Sequence, residues 1–203
     1  MRLLFVLLAT LALAQCAHKD DDRFQVGGSP RALVIIGVAE AYNNTDADYA
    51  LLWRRVGQDG RFEDIDGRTA IEAETNARGT VRVRGIPGEF KIAEVDPGVY
   101  ALDSAFAVIH GNVNYIANGV LAGPSRPSFE VRAGEAVYLG IWQMDLDEVT
   151  AVARPWRLDP ADAQAVMRAA NAVNGEMRVR ETSVREVPCA PRRRNNVTQR
   201  QVC

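Results

Sequence analysis

The chain of 203 residues is poor in the side chains on which most catalytic sites depend. It has two histidines, His18 and His110, and three cysteines, Cys16, Cys189 and Cys203. One histidine beyond the N-terminal segment excludes the two- and three-histidine zinc sites. A Ser-His-Asp arrangement would have to join His110 to Ser104, Ser125 or Ser128, and the G-x-S-x-G pattern of a nucleophile elbow is missing. A Gly-rich phosphate loop, a dinucleotide fingerprint and an aromatic-basic RNA motif are missing too. Charge is nearly balanced, with 24 Lys+Arg against 26 Asp+Glu, which argues against a dedicated nucleic-acid binder. No apolar run approaches the about 20 residues that cross a bilayer as a helix.

The longest apolar run lies at the start. Arg2 supplies one positive charge, residues 3–14 are apolar except for Thr10, and small residues precede His18-Lys19-Asp20-Asp21-Asp22. A charged start, a short apolar centre and a small-residue end define a secretory signal peptide over residues 1–15. Two processing readings stay open. Ala12-Leu13-Ala14 fits general signal peptidase cleavage after Ala14. Leu13-Ala14-Gln15-Cys16 resembles a bacterial lipobox, although Gln15 departs from the usual Gly, Ala or Ser, and the resemblance implies lipidation at Cys16. Loss of Arg2 with the signal peptide leaves 23 basic against 26 acidic side chains.

Cysteine parity favours the lipid anchor. An exported chain folds where disulfides persist, and an odd cysteine there needs a special role. Pairing Cys189 with Cys203 leaves Cys16 over, at the position lipidation would consume. The alternative leaves those two thiols free or paired between molecules. Ala17 after the cysteine, by analogy with bacterial sorting, points to the outer membrane.

Four regions follow from composition and period. Residues 1–15 form the signal peptide, and residues 16–30, polar and ending in Gly27-Gly28-Ser29-Pro30, a flexible lipid-anchored tether. Residues 31–155 carry short β-rich runs. Leu33-Val34-Ile35-Ile36-Gly37-Val38 has the continuous character of a strand covered on both faces. Tyr49, Leu51 and Trp53 share one face by period two, as do Ile71, Ala73 and Thr75, leaving Glu72 and Glu74 on a wet face. Val81 and Val83 alternate with Arg82 and Arg84 as a further strand. Asp96-Pro97-Gly98 has the chemistry of a type II turn, and Ala133-Gly134 marks another. Residues 111–127 form a long connection with room for one short strand. Residues 156–203 hold one helix, one more strand within residues 176–187, and a basic tail packed on the sandwich. Asp159 caps that helix, Pro160 opens it, Val166, Ala169, Ala170 and Val173 form its apolar stripe, and Gly175 stops it. Many short strands without interleaved helices give a mainly β fold, an antiparallel β-sandwich with one C-terminal α-helix and a disulfide-closed tail.

The phrases Val95-Asp96-Pro97-Gly98-Val99-Tyr100 and Phe129-Glu130-Val131-Arg132-Ala133-Gly134-Glu135-Ala136-Val137-Tyr138-Leu139-Gly140 form a recurring pair. Together with the leader they resemble bacterial lipoproteins of unknown function with small transthyretin-like or immunoglobulin-like β-sandwiches. The resemblance implies a fold and a compartment and brings no catalytic residues.

The remaining candidates have plain readings. Arg192, Arg193 and Arg194 can contact anions bidentately, or form a solvated tail. The acidic runs Glu63-Asp64-Ile65-Asp66 and Asp145-Leu146-Asp147-Glu148 lack EF-hand spacing and are expected as solvated loops. His110 is expected at a strand end, hydrogen-bonded to a loop. Trp53 and Tyr138 are expected in the core, and Trp156, after Pro155, partly exposed. No catalytic residue, metal or cofactor is assigned. The reading is a non-catalytic cell-envelope lipoprotein held at the periplasmic membrane surface by its lipid anchor, binding or scaffolding an envelope protein or ligand, without nucleic acid. A soluble periplasmic ligand-binding module cleaved after Ala14 is the alternative, ahead of an envelope enzyme using dispersed carboxylates or His110.

Overall fold

A computed structural model describes residues 23–41, 46–121 and 123–203. The signal peptide, Cys16 and His18 lie outside the described residues. The apolar run at residues 33–38 becomes β2 (Ala32–Glu40), with Val34, Ile36 and Val38 in one core cluster and Leu33 and Ile35 in another. Both faces of β2 are therefore covered, as its lack of alternation requires.

The chain is mainly β, with one helix. After β1 (Phe24–Gln25) and β2 come β3 (Ala47–Val56), β4 (Ala70–Glu74), β5 (Glu89–Val95) and β6 (Gly98–Ile109). They are followed by β7 (Tyr115–Val120), β8 (Ser125–Val131), β9 (Ala136–Asp147) and β10 (Thr150–Arg157). Then come α1 (Pro160–Ala170), β11 (Val173–Asn174), β12 (Arg178–Val179), β13 (Ser183–Glu186), β14 (Arg192–Arg193) and β15 (Gln201–Val202). One sheet has the order β10-β9-β2-β5, with β12 also on β9. The other runs β13-β8-β6-β3-β4, with β7 also on β6. All pairings of this second sheet are antiparallel, whereas β2 and β12 both run parallel to β9.

Between the sheets lies the main core. Trp53 sits at its centre, edge-on to Trp142 at 5.1 Å between ring centroids and to Phe129 at 5.5 Å. Tyr49, Leu51, Ile71 and Ala73 join it from β3 and β4, on the face that period two assigns. A second cluster covers the outer face of the β9–β2–β5 sheet, where α1 lays Ala163 and Val166 beside Phe90 and Tyr138. Gly119 on β7 lets the two sheets approach at one seam: a Cβ there would stand 1.7 Å from the Ala151 carbonyl oxygen on β10.

Several expectations are corrected. Asp96-Pro97-Gly98 joins β5 and β6, which lie in different sheets, so it carries the chain across the sandwich and closes no hairpin. Gly98 has φ +155°, away from the about +80° of a type II turn. Ala133-Gly134 makes the same kind of crossing from β8 to β9. The two recurring phrases are thus a pair of arches between sheets. Residues 76–88 form no strand; Val81 only bridges Phe90. Residues 111–127 hold β7 and the start of β8, and residues 176–187 divide into β12 on one sheet and β13 on the other.

The helix begins as its caps dictate, with Asp159 accepting from the Ala161 amide at 2.8 Å. It ends at Asn171, in the left-handed region at φ 48°, four residues before Gly175. Asparagine tolerates that conformation and its amide bonds Met167 O at 2.9 Å, so no glycine is needed. Ala169 is exposed and Ala163 buried, which rotates the apolar stripe from the expected one. At the other end, the folded body starts earlier than residue 31. Phe24 is buried beneath α1, and β1 pairs with β11, so tether composition gives way to packing at Arg23.

Candidate functional site

The outer face of the β6-centred sheet does not face water. Its central positions, Ala50 and Leu52 on β3 and Ala101 on β6, are buried, and residues 187–203 lie across it as a strap. Val187 and Val202 anchor the strap with no exposed surface. The expected bridge closes it: Cys189 and Cys203 are disulfide-bonded, with Cα atoms 4.9 Å apart. A closed loop of 14-residue separation stabilises by about 3 kcal/mol through chain entropy. Replacing both cysteines with alanine is expected to cost about that much. Urea midpoints of the variant and the oxidised parent check it.

Beneath the strap is a buried polar layer. Arg54 on β3 donates from Nη1 to Asp103 Oδ2 on β6 at 2.7 Å and from Nε to Glu63 O at 3.0 Å. The other oxygen of Asp103 accepts the Cys203 amide at 3.1 Å. Arg126 on β8 spends its donors on main-chain carbonyls: Asp103 at 3.2 Å, Leu121 at 3.1 Å, Gly123 at 3.2 Å and Val187 at 3.4 Å. Burial lowers the Arg126 pKa, and Asp103 opposes the shift. The Phe62 ring lies against both guanidinium groups, 5.0 Å from Arg54 and 5.8 Å from Arg126. Charges this buried persist only because each is paired or hydrogen-bonded. The layer ties sheet to strap.

A second cluster holds the strap hairpin, β14–β15. Glu72 on β4 accepts from Arg194 Nη1 at 3.0 Å and from Arg200 Nη1. Arg200 lies on the Phe106 ring, 3.4 Å from its centroid. Burial would raise the Glu72 carboxyl, but the two arginines outweigh it and hold it below the usual range. Glu74, next on the same face, is pushed up to about 7 by burial and then by its neighbour Glu72. Of the three arginines read as anion contacts or as a solvated tail, Arg194 is engaged within the fold, whereas Arg192 and Arg193 are exposed on β14.

Between β7, the turn before β8 and the strap lies a cleft of about 650 Å³, walled by Asn118, Val120, Leu121, Pro188, Pro191 and Gln201. Asn118 binds its two sides together, donating to Gln199 O at 3.3 Å and accepting the Gln201 amide at 2.8 Å. Cys189, bonded to Cys203, also lines the cleft.

The other candidates lie elsewhere. His110 follows the end of β6, exposed, with its amide on Asp46 O and Nε2 2.8 Å from Asp48 Oδ2. That hydrogen bond raises its pKa. Ser104 is six residues back along β6, about 20 Å away at strand rise, and Ser125 and Ser128 are on β8, which pairs with the first half of β6; no triad forms. Asp66 closes its own turn by accepting the Arg68 and Thr69 amides, and Asp145 faces Arg154 at 3.8 Å. Among the described residues, no three His, Cys, Asp or Glu side chains are grouped to hold a metal ion. No described helix is long and apolar enough to cross a membrane. Trp53 and Tyr138 are buried and Trp156 is 46% exposed. Arg54, Asp103 and Arg126 escaped the sequence reading. The available signal was Asp103 and Ser104 interrupting an otherwise apolar twelve-residue strand.

Comparison with protein families, with curated proteins and with solved structures gave no match.

Proposed function

We propose that the protein is a non-catalytic, lipid-anchored envelope protein of the bacterial lipoprotein type that binds an envelope component in the cleft between β7 and the strap. The observation that carries this reading is the Cys189–Cys203 bridge, which uses both other cysteines and leaves Cys16 alone beside the signal peptide. Residues 17–23 then separate the anchor from Phe24, which is buried in the body. Seven residues reach at most about 3.3–3.6 Å each, so Phe24 stays within roughly 25 Å of the membrane surface. The cleft wall presents the amides of Asn118 and Gln201 beside Val120, Leu121 and prolines. Such a lining suits an uncharged, partly apolar ligand, such as an extended peptide main chain, and supports recognition over proton transfer. Intact mass of the N-terminal peptide from the membrane fraction tests the anchor. A diacylglyceryl-modified Cys16 is expected. A soluble product beginning at Gln15, with Cys16 unmodified, overturns it.

A further inference from the structure

Trp156 stands half-exposed on an irregular strand. Pro155 pairs with Trp142 and Arg157 with Ile141, so Trp156 is the extra residue of a bulge on β10, a device that re-aims a side chain out of the pleat. It lies where one edge of β9 is left open. With β2 on the other side, β12 takes this edge at Val137 and Tyr138, and β10 takes it from Ile141 onward. Leu139 and Gly140 fall between them. A cavity of about 300 Å³ opens at this gap. Leu139 and Trp142, both buried, and Pro155 and Trp156, both exposed, are its apolar walls.

The rest of the lining is polar and mixed in charge, with Arg157, Arg180 and Glu181. Arg157 is ion-paired with Asp159 and Asp162, and Arg180 with Glu135 at 2.8 Å. That pair uses Arg180 Nη2, and Nε and Nη1 have no acceptor among the described residues. The exposed Glu181 carboxylate has no donor among them either. Ligand classes meet these groups differently. An anion is opposed by Glu181, and a cation by the two guanidinium groups. A purely apolar ligand would cover unpaired donors and an unpaired acceptor, at a desolvation cost. An uncharged polyol satisfies both, because a hydroxyl donates and accepts. A pyranose ring adds a face of C–H bonds, which suits the broad apolar surface of an indole. We infer that the cavity binds one ring of an uncharged pyranose sugar, its C–H face on Trp156 and its hydroxyls between Arg180 and Glu181. The site shares no lining residue with the cleft beside the strap, and it works whether or not Cys16 is lipidated.

Titration of the oxidised mature protein with glucose and N-acetylglucosamine, each as the single sugar and as its trimer, tests it. One ring in a site of this size binds at about millimolar strength, so ligand-observed NMR measures the affinity. Saturable binding of at least one probe is expected, with a blue shift of the Trp156 emission, since Trp53 and Trp142 are buried already. A trimer that binds more tightly than its own monomer marks a glycan chain as the ligand, and equal affinity marks the free sugar. Trp156→Ala should weaken binding about tenfold and Glu181→Ala about threefold. Val113→Ala, at another exposed position, should leave it unchanged. Glu181→Ala decides the matter if Trp156→Ala proves unfolded. Three results each overturn the site: no saturable binding of any probe up to about 100 mM, affinity that ignores Trp156→Ala or falls as far in Val113→Ala, and saturation by tetramethylammonium or acetate in place of the sugars.

Discussion

Asp103→Ala is expected to be among the most damaging single substitutions, costing about 3–5 kcal/mol, the usual penalty for removing one partner of a buried ion pair. Asp103 has no exposed surface and Arg54 is 1% exposed. Without the carboxylate, Arg54 keeps only the Glu63 carbonyl, and its charge stays buried beneath the strap. The Cys203 amide loses its acceptor as well. The damage falls on both layers, because Asp103 joins β3, β6 and the end of the strap through one side chain. Asp103→Asn should cost less, since an amide oxygen can still accept from one side. The double variant Arg54→Met with Asp103→Leu should recover much of the loss, because apolar groups of similar volume remove both buried charges. Urea unfolding reads all three. A lowered midpoint with unchanged slope is the expected form. A loss under 1 kcal/mol for Asp103→Ala would mean the pair is not desolvated.

Trp53→Ala should cost about 3–5 kcal/mol for a different reason, the cavity left in a core that cannot collapse around it. Trp53 has no exposed surface and spans the space between the sheets, meeting Trp142 and Phe129 edge-on. Its indole N–H has no acceptor among the described residues. A buried unpaired donor carries a desolvation penalty, so Trp53→Phe removes a defect along with part of the ring. The phenylalanine variant is therefore expected to lose less than half of what the alanine variant loses. Equal losses would show that ring volume alone decides the position.

Much of this fold was legible because its signals are local. Pro160 after Asp159 marked the helix start, since a missing N–H and a side-chain acceptor act within one turn. Period two placed Tyr49, Leu51 and Trp53 inward correctly. The helix end was misplaced because Asn171 and Gly175 are both competent stops, and the packing of Ala163 and Val166 on the sheet selected the first. The candidate site was legible only in its cysteines, which parity could pair. Its carboxylates were assigned to a wet face, as alternation on β4 requires for any strand seen alone.

By itself, then, the sequence determined the long strands, the cover on both faces of β2, the inward faces of β3 and β4, where the helix begins, and that Cys189 and Cys203 had reason to pair. The tertiary structure alone decided what supplies the cover. Alternation states that a face is apolar or polar, and says nothing of the element that will lie on it. Arg200 and Glu72 are 128 residues apart, and Cys203 and Asp103 are 100. Contacts at that range depend on which sheet each strand joins, and the arches at Asp96-Pro97-Gly98 and Ala133-Gly134 look like hairpin turns until β2 and β9 are seen to pair. The polar layer of Arg54, Asp103 and Arg126 is stable only once the strap excludes water from it, and its one local sign is the break that Asp103 and Ser104 make in the apolar run of β6.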